Sequence, residues 1–185
     1  MAAPLPVTVR TATVDDARAI AIVQVETWRA AYADLMPEAL LRRMDVDRNA
    51  VRRAETWAQR HRDPKVVDLV AERDGDVVGW ASVGPTDQDD LPGFGQLFAI
   101  YALAATWSSG VGRALVHEAE QRLRDAGFER ACLYVLDGND RAADFYERHG
   151  WREDGHTWID ERFGYGGVLV PLLEHRRVRE LGEAP

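Results

Sequence analysis

One stretch constrains this chain more than any other. An apolar run, Ala99-Ile100-Tyr101-Ala102-Leu103, passes through a short loop into a long amphipathic helix, and the loop carries Gly110 and Gly112. A strand that turns straight into a helix aims unpaired backbone N–H groups and the positive helix end at one point, which suits an anion such as a pyrophosphate. Gly110 and Gly112 let a ligand approach the backbone, and Arg113 adds a cation. A tight strand-to-helix turn also needs small residues there, so the stretch alone supports both readings. Two rival phosphate folds are testable. No Gly-Lys-Ser/Thr follows any glycine, so a Walker loop is absent. The dinucleotide fingerprint needs a third glycine three positions after Gly112, where Leu115 stands, although Asp137 sits where a ribose-binding acid would be. Against that fold, the strand before the loop follows a hairpin, and no further β-α units come later.

Around this stretch the chain reads as one α/β domain with a mixed sheet. Val7 to Arg10 alternates as a first strand, and Thr13-Val14-Asp15-Asp16 supplies a hydroxyl and early acids for a helix running from Ala17 to about Ala33. Pro37 opens an irregular helical region through Leu41, continuing from about Asp47 to His61. Val66 to Glu72 and Val77 to Val83 form a hairpin about Asp74-Gly75-Asp76. A polar loop from Gly84 to Gly95 leads to a strand, Gln96 to Leu103. The helix from Gly110 to Ala126 carries Val111, Leu115, Ala119 and Leu123 on one stripe and stops at Gly127. Arg130 to Leu136 is a strand and Arg141 to His149 a short helix. Two last strands follow near Thr157 to Phe163 and Gly167 to Leu173, giving about seven in all. The domain is set at residues 7–173, with 1–6 and a charged 174–185 as terminal extensions.

Composition narrows the partners. With 185 residues the chain suits one core, and its formal charge of −8 makes it a poor general nucleic-acid binder, because phosphate contacts need clustered cations. The same acidity favours cationic small molecules. The single cysteine, Cys132, cannot form an internal disulfide and sits among apolar strand residues as a small core hydrophobe. No window approaches 18 uninterrupted apolar residues and no signal-peptide run opens the chain, so a cytoplasmic protein without membrane contact is expected. The five histidines show no metal-ligand spacing, so no metal is expected.

A second motif lies downstream. Asn139-Asp140-Arg141-Ala142-Ala143-Asp144-Phe145-Tyr146-Glu147-Arg148-His149-Gly150-Trp151 resembles the Asn-x-x-Ala-x-x-x-Tyr-x-x-x-Gly-Phe segment of the GNAT superfamily of N-acetyltransferases. That family's other signature is a strand ending in Val-x-Pro, then Arg/Gln-x-x-Gly-x-Gly/Ala opening a helix. Ile100-Tyr101-Ala102 occupies the strand end and Trp107-Ser108-Ser109-Gly110-Val111-Gly112 the loop. Glu26 to Pro37 also resembles the first helices of small bacterial members. The likeness covers about residues 7–173, and two motifs in order are far more specific than either alone.

The resemblance implies a mixed sheet with splayed central parallel strands and transfer of an acetyl group from acetyl-CoA to a primary amine of a small molecule or peptide. By that resemblance, the backbone at Ile100, Tyr101 and Ala102 pairs with the pantetheine arm. The N–H groups of Ser108, Ser109, Gly110, Val111, Gly112 and Arg113 cradle the pyrophosphate, and Asn139 bonds the CoA arm. Tyr146 protonates the departing thiolate, a role that suits a phenol, which stays protonated at neutral pH. A homodimer fits the family, and no residue in the sequence demonstrates one.

Several positions depart from the pattern. Trp107 stands where Arg or Gln is usual, Ala104 replaces a proline and Ser108 a glycine. Gln96 stands where related members often carry a general-base Glu, and glutamine cannot accept a proton at neutral pH. Candidate bases are Asp87, Asp89 and Asp90 before Gln96, then Glu26, with Asp160 and Glu161 further back; a solvated loop explains the Asp run equally. Trp28, Tyr32 and Met36 are candidates to line the acceptor pocket or simply to pack. Gln96 also motivates an alternative, a non-catalytic acyl-CoA-binding or regulatory module of the same fold. The acceptor, and acetyl against a longer acyl donor, stay open.

Overall fold

A computed structural model describes residues 6–161, 164–165 and 168–182. Its frame is a seven-stranded mixed sheet in the order β1-β2-β3-β4-β5-β9-β6. The strands are β1 (Thr8–Thr11), β2 (Val67–Arg73), β3 (Asp76–Pro85), β4 (Gly95–Ala102), β5 (Arg130–Leu136), β6 (Arg152–Asp160) and β9 (Leu172–Glu180). A separate two-stranded ribbon joins β7 (Gly164–Tyr165) to β8 (Val168–Leu169). Every neighbour in the large sheet is antiparallel except β4 and β5. This matches the mixed sheet with central parallel strands expected from the sequence.

Period-2 and period-3.6 patterns explain how the layers close. The hairpin β2–β3 turns at Asp74 (φ 58°) and Gly75 (φ 86°), two positive angles in a row that suit the right-handed twist of the strands. On one face of the sheet, α4 (Val111–Asp125) buries Val111, Leu115, Val116, Ala119 and Leu123 against β2, β3, β4 and β5. Gly79 of β3 allows that approach, because a Cβ there would stand 2.8 Å from both Leu115 and Val111. The helix α5 (Asp140–Arg148) lies on the same side and contributes Tyr146 to this core. On the other face, α1 (Ala17–Ala31) sets Ile20 and Val23 over Val70 and Trp80. Also there are α2 (Glu38–Arg42) and α3 (Val46–Arg60), the latter opened by Asp45, whose side chain accepts from the Arg48 N–H at 2.7 Å. Among the described residues, no helix is long and apolar enough to cross a membrane.

One boundary needs correction. Glu174 to Glu180, expected as part of a charged terminal extension, form most of β9, which is inserted between β5 and β6. Its arginines and its histidine have carboxylate partners. Arg176 pairs with Asp90 and Asp154, Arg177 with Glu153, Arg179 with Glu120, and His175 with Asp137 and Glu153. The strand expected near Thr157 begins earlier, at Arg152. The ends of the two last expected strands at Phe163 and Gly167, and the extension residues 1–5 and 183–185, lie outside the described residues.

Candidate active site

β4 and β5 part after two rungs. Their pairing is confined to Gly95↔Ala131 and Gln96↔Cys132, while β4 continues to Ala102 and β5 to Leu136. The bend has a local cause. Val83 pairs with Leu97 and Ser82 with Ala99, so Phe98 is an extra residue, a bulge that turns β4 away from β5. The result is a wedge between the strands with unpaired backbone along its edges.

Ile100 and Ala102 edge this wedge, whereas Tyr101, expected to join them, turns its N–H and C=O to β3 opposite Trp80. The Leu103 N–H donates to the Val78 carbonyl at 3.0 Å, so by alternation the Ala102 carbonyl faces the wedge. There it already accepts from Trp107 Nε1 at 2.7 Å and from Thr27 Oγ1 at 3.1 Å. The groups that β4 offers toward β5 near this end are therefore the N–H and C=O of Ile100 and the N–H of Ala102.

The loop at the open end has the form the sequence suggested. Ser108 (φ 59°) and Gly110 (φ 95°) take left-handed conformations, and α4 starts at Val111. Ala114 is the residue whose N–H returns to the Gly110 carbonyl, at 2.9 Å, so Val111, Gly112 and Arg113 present N–H groups without an intrahelical acceptor. Ser108, Ser109 and Gly110 are exposed beside them. Two cations that sequence reasoning missed flank the loop. Arg73, at the end of β2, donates to Ser109 Oγ and to the Ser109 carbonyl, both at 3.0 Å. Arg141 lays its guanidinium 3.3 Å above the Trp107 ring, and burial lowers its pKa. The hairpin turn after Arg73 and the motif position two after Asn139 were the signals available for them.

Further in, phenols converge. Tyr146 is 7% exposed, with its ring edge-on to Phe145 at 5.3 Å and to Trp151 at 6.3 Å. Burial, and then the neighbouring Tyr101, push its pKa well above the ordinary tyrosine value. Tyr101 and Tyr32 pack against one cluster, and burial raises the pKa of both. Trp28 packs edge-on to Tyr32 at 5.1 Å and to Tyr101 at 6.3 Å, and Met36 is buried in the same cluster. Asn139 caps α5, its Oδ1 accepting from the Ala142 N–H at 3.2 Å, which leaves its amide NH2 as the group that can meet a ligand.

The structure separates most candidate bases from this cluster. Gln96 Oε1 accepts from Thr86 Oγ1 at 2.8 Å, beside the buried Cys132, whose thiol donates to the same Thr86 hydroxyl at 3.6 Å. Burial pushes that thiol up to about 11, so Cys132 is a neutral core residue. Asp90 is bound by Arg176 at 2.5 Å, which lowers its pKa. Glu26 pairs with Arg29 on the surface at 3.0 Å, and Asp87 accepts from Gln88 at 3.0 Å. Asp89 is exposed on the same loop and Asp160 is buried at the end of β6.

Comparison with known proteins converges on one kind of fold. The model of the Acetyltransferase (GNAT) family matches residues 26–151. An uncharacterized N-acetyltransferase of Bacillus subtilis, YuaI, is 32% identical over 133 residues, spanning 72% of this chain and 73% of that protein. An uncharacterized N-acetyltransferase of Mycobacterium bovis is 30% identical over 141 residues, spanning 76% and 85%. Among solved structures, the PaiA N-acetyltransferase of Thermoplasma acidophilum in complex with coenzyme A superposes with a TM-score of 0.67 at 16% identity, over 95% of this chain and 99% of that one.

Proposed function

The chain belongs to the GNAT acetyltransferase family, and from that premise we propose that it carries an acetyl group from acetyl-CoA to a primary amine of a small molecule or peptide by direct attack. Membership makes it an acyltransferase with acetyl-CoA as cosubstrate. The observation that carries the finer reading is the wedge between β4 and β5, whose edges keep unpaired backbone groups beside a helix start rich in free N–H groups.

The residues fit that donor. Ile100 and the Ala102 N–H would hold the amide groups of its arm, and the amide NH2 of Asn139 would donate to it. The N–H groups of Ser108, Gly110, Val111, Gly112 and Arg113 would receive the pyrophosphate at the positive end of α4, the Ser109 N–H being already given to the Thr106 carbonyl at 3.3 Å, with Arg113, Arg73 and Arg141 adding cations. As the amine nitrogen bonds to the acetyl carbon and the carbon–sulfur bond breaks, the electron pair leaves on sulfur. Tyr146, kept protonated by burial, gives its proton to that sulfur.

Isothermal titration with acetyl-CoA is the direct test. Micromolar binding is expected, and its absence at high micromolar ligand would end this reading. Gln96, tied to Thr86 in place of a carboxylate, supports a second one, a non-catalytic acyl-CoA-binding or regulatory module. Tight acetyl-CoA binding with no CoA release for any amine, amino acid, polyamine, aminoglycoside or peptide N-terminus would select it.

A further inference from the structure

Transfer to an amine that arrives as its ammonium requires a group to take a proton before attack, and Gln96 cannot do so. β9 brings another carboxylate level with the open end of the wedge, one strand beyond β5. Glu174 is directly opposite Leu136, the last residue of β5, and on its other side opposite Trp158 of β6. Directly paired residues project from the same face of a sheet. Leu136 packs with Trp28, Met36 and Tyr101, so Glu174 shares the face that carries those aromatics, at the end where β4 and β5 have separated. Its charge also acts on both the Tyr32 and the Tyr101 phenols, raising each, and Tyr101 is the phenol that neighbours Tyr146. The Asp87–Asp90 loop, by contrast, lies at the closed end beside Cys132 and Arg176.

We propose that Glu174 is the general base: an alkyl ammonium seats against its carboxylate, with the carbon stem along Leu136 and Trp158, and loses one proton to it before attacking as the neutral amine. The inference rests on the acetyl transfer argued above. The balance closes. One nitrogen proton goes to Glu174 and on to solvent. The amine lone pair makes the carbon–nitrogen bond as the carbon–sulfur bond breaks, and Tyr146 protonates the sulfur. The second nitrogen proton makes good the one that Tyr146 gave to the sulfur. Amide, CoA thiol and one released proton result.

The test compares wild type, Glu174→Gln and Glu174→Asp with two kinds of acceptor at neutral pH. 2-Phenylethylamine and spermidine are ammonium ions there, whereas methoxyamine is already neutral. For Glu174→Gln, kcat/KM on the ammonium probes relative to methoxyamine is expected to fall on the order of 10²-fold, the scale of a lost general base. The KM for acetyl-CoA should hold, and Glu174→Asp should recover part of the ratio. An unchanged ratio, whether because both probes suffer equally or neither does, overturns the assignment. So does a wild type that binds acetyl-CoA yet acetylates neither ammonium probe. A wild type that fails to bind acetyl-CoA in calorimetry overturns the transfer reaction itself, and Glu174's part in it.

Discussion

β5 has a neighbour on each side, and it treats them oppositely. Toward β4 it pairs at Ala131 and Cys132 and then stops. Toward β9 it pairs along its whole length, from Arg130↔Glu180 to Leu136↔Glu174. The apolar partner, β4, is the one that lets go, because the Phe98 bulge bends it; the charged partner, β9, is the one that holds. Apolar composition therefore does not decide which edge of a strand is closed. On the β4 side, backbone groups are withheld from the sheet, where the proposed donor would meet them. On the β9 side they are all spent on the fold, and the arginines that would resist burial meet carboxylates from Asp90, Asp154, Glu153 and Glu120.

The sharpest way to break this contrast is at the open side. Tyr146→Phe keeps the ring packed against Phe145 and Trp151 and removes only the proton. Turnover should fall by about 10²–10⁴-fold while acetyl-CoA affinity by calorimetry changes little. Equal turnover in the two proteins would remove Tyr146 from the chemistry and leave the wedge a binding feature.

Next in size is an attack on the closed side. Arg176 is 6% exposed and ties Asp90 and Asp154 to β9. Arg176→Met strips both carboxylates of their cation. Because Asp90 is half exposed, water recovers part of the loss, and about 2–3 kcal/mol of unfolding free energy should go, read as a lower urea midpoint. Acetyl-CoA affinity should hold, since its proposed contacts lie on the other side of β5. A stability unchanged by the substitution would mean that β9 is held by backbone pairing alone.

The same contrast explains what the sequence disclosed and what it hid. The strand, the glycines at Gly110 and Gly112 and the helix stripe from Val111 to Leu123 were legible because each is local, whereas the splay beside them came only from the family resemblance, its cause being a bulge at Phe98 that pairing with β3 creates. Arg130 to Leu136 reads as β5 residue for residue. β9 was hidden because Glu174-His175-Arg176-Arg177-Val178-Arg179-Glu180 has almost no apolar alternation. Its strand character comes from partners 20 to 90 residues away, such as Asp90 and Glu153, which no local window contains. Arg73 and Arg141 escaped for the same reason, each meeting the loop only across the fold. So did Glu174, once the segment holding it was read as a tail.

The smallest expected effect separates the two sides of β5 by pH. The Arg176 guanidinium holds the Asp90 carboxyl below its ordinary value through their hydrogen bond. A carboxylate depressed in the folded state stabilises fully above its unfolded pKa, about 3.9, and that share is lost as pH falls through the lower folded value. At neutral pH the wild type should therefore unfold at a slightly higher urea concentration than Asp90→Asn. As the pH drops below about 4 the two midpoints should converge, because the protonated aspartate no longer differs in charge from asparagine. Parallel curves across that range would show that Arg176 draws its counter-charge from Asp154 alone. Acetyl-CoA binding measured at neutral pH should be the same in both proteins, since Asp90 stands at the closed end of the strand pair and the free N–H groups stand at the open one.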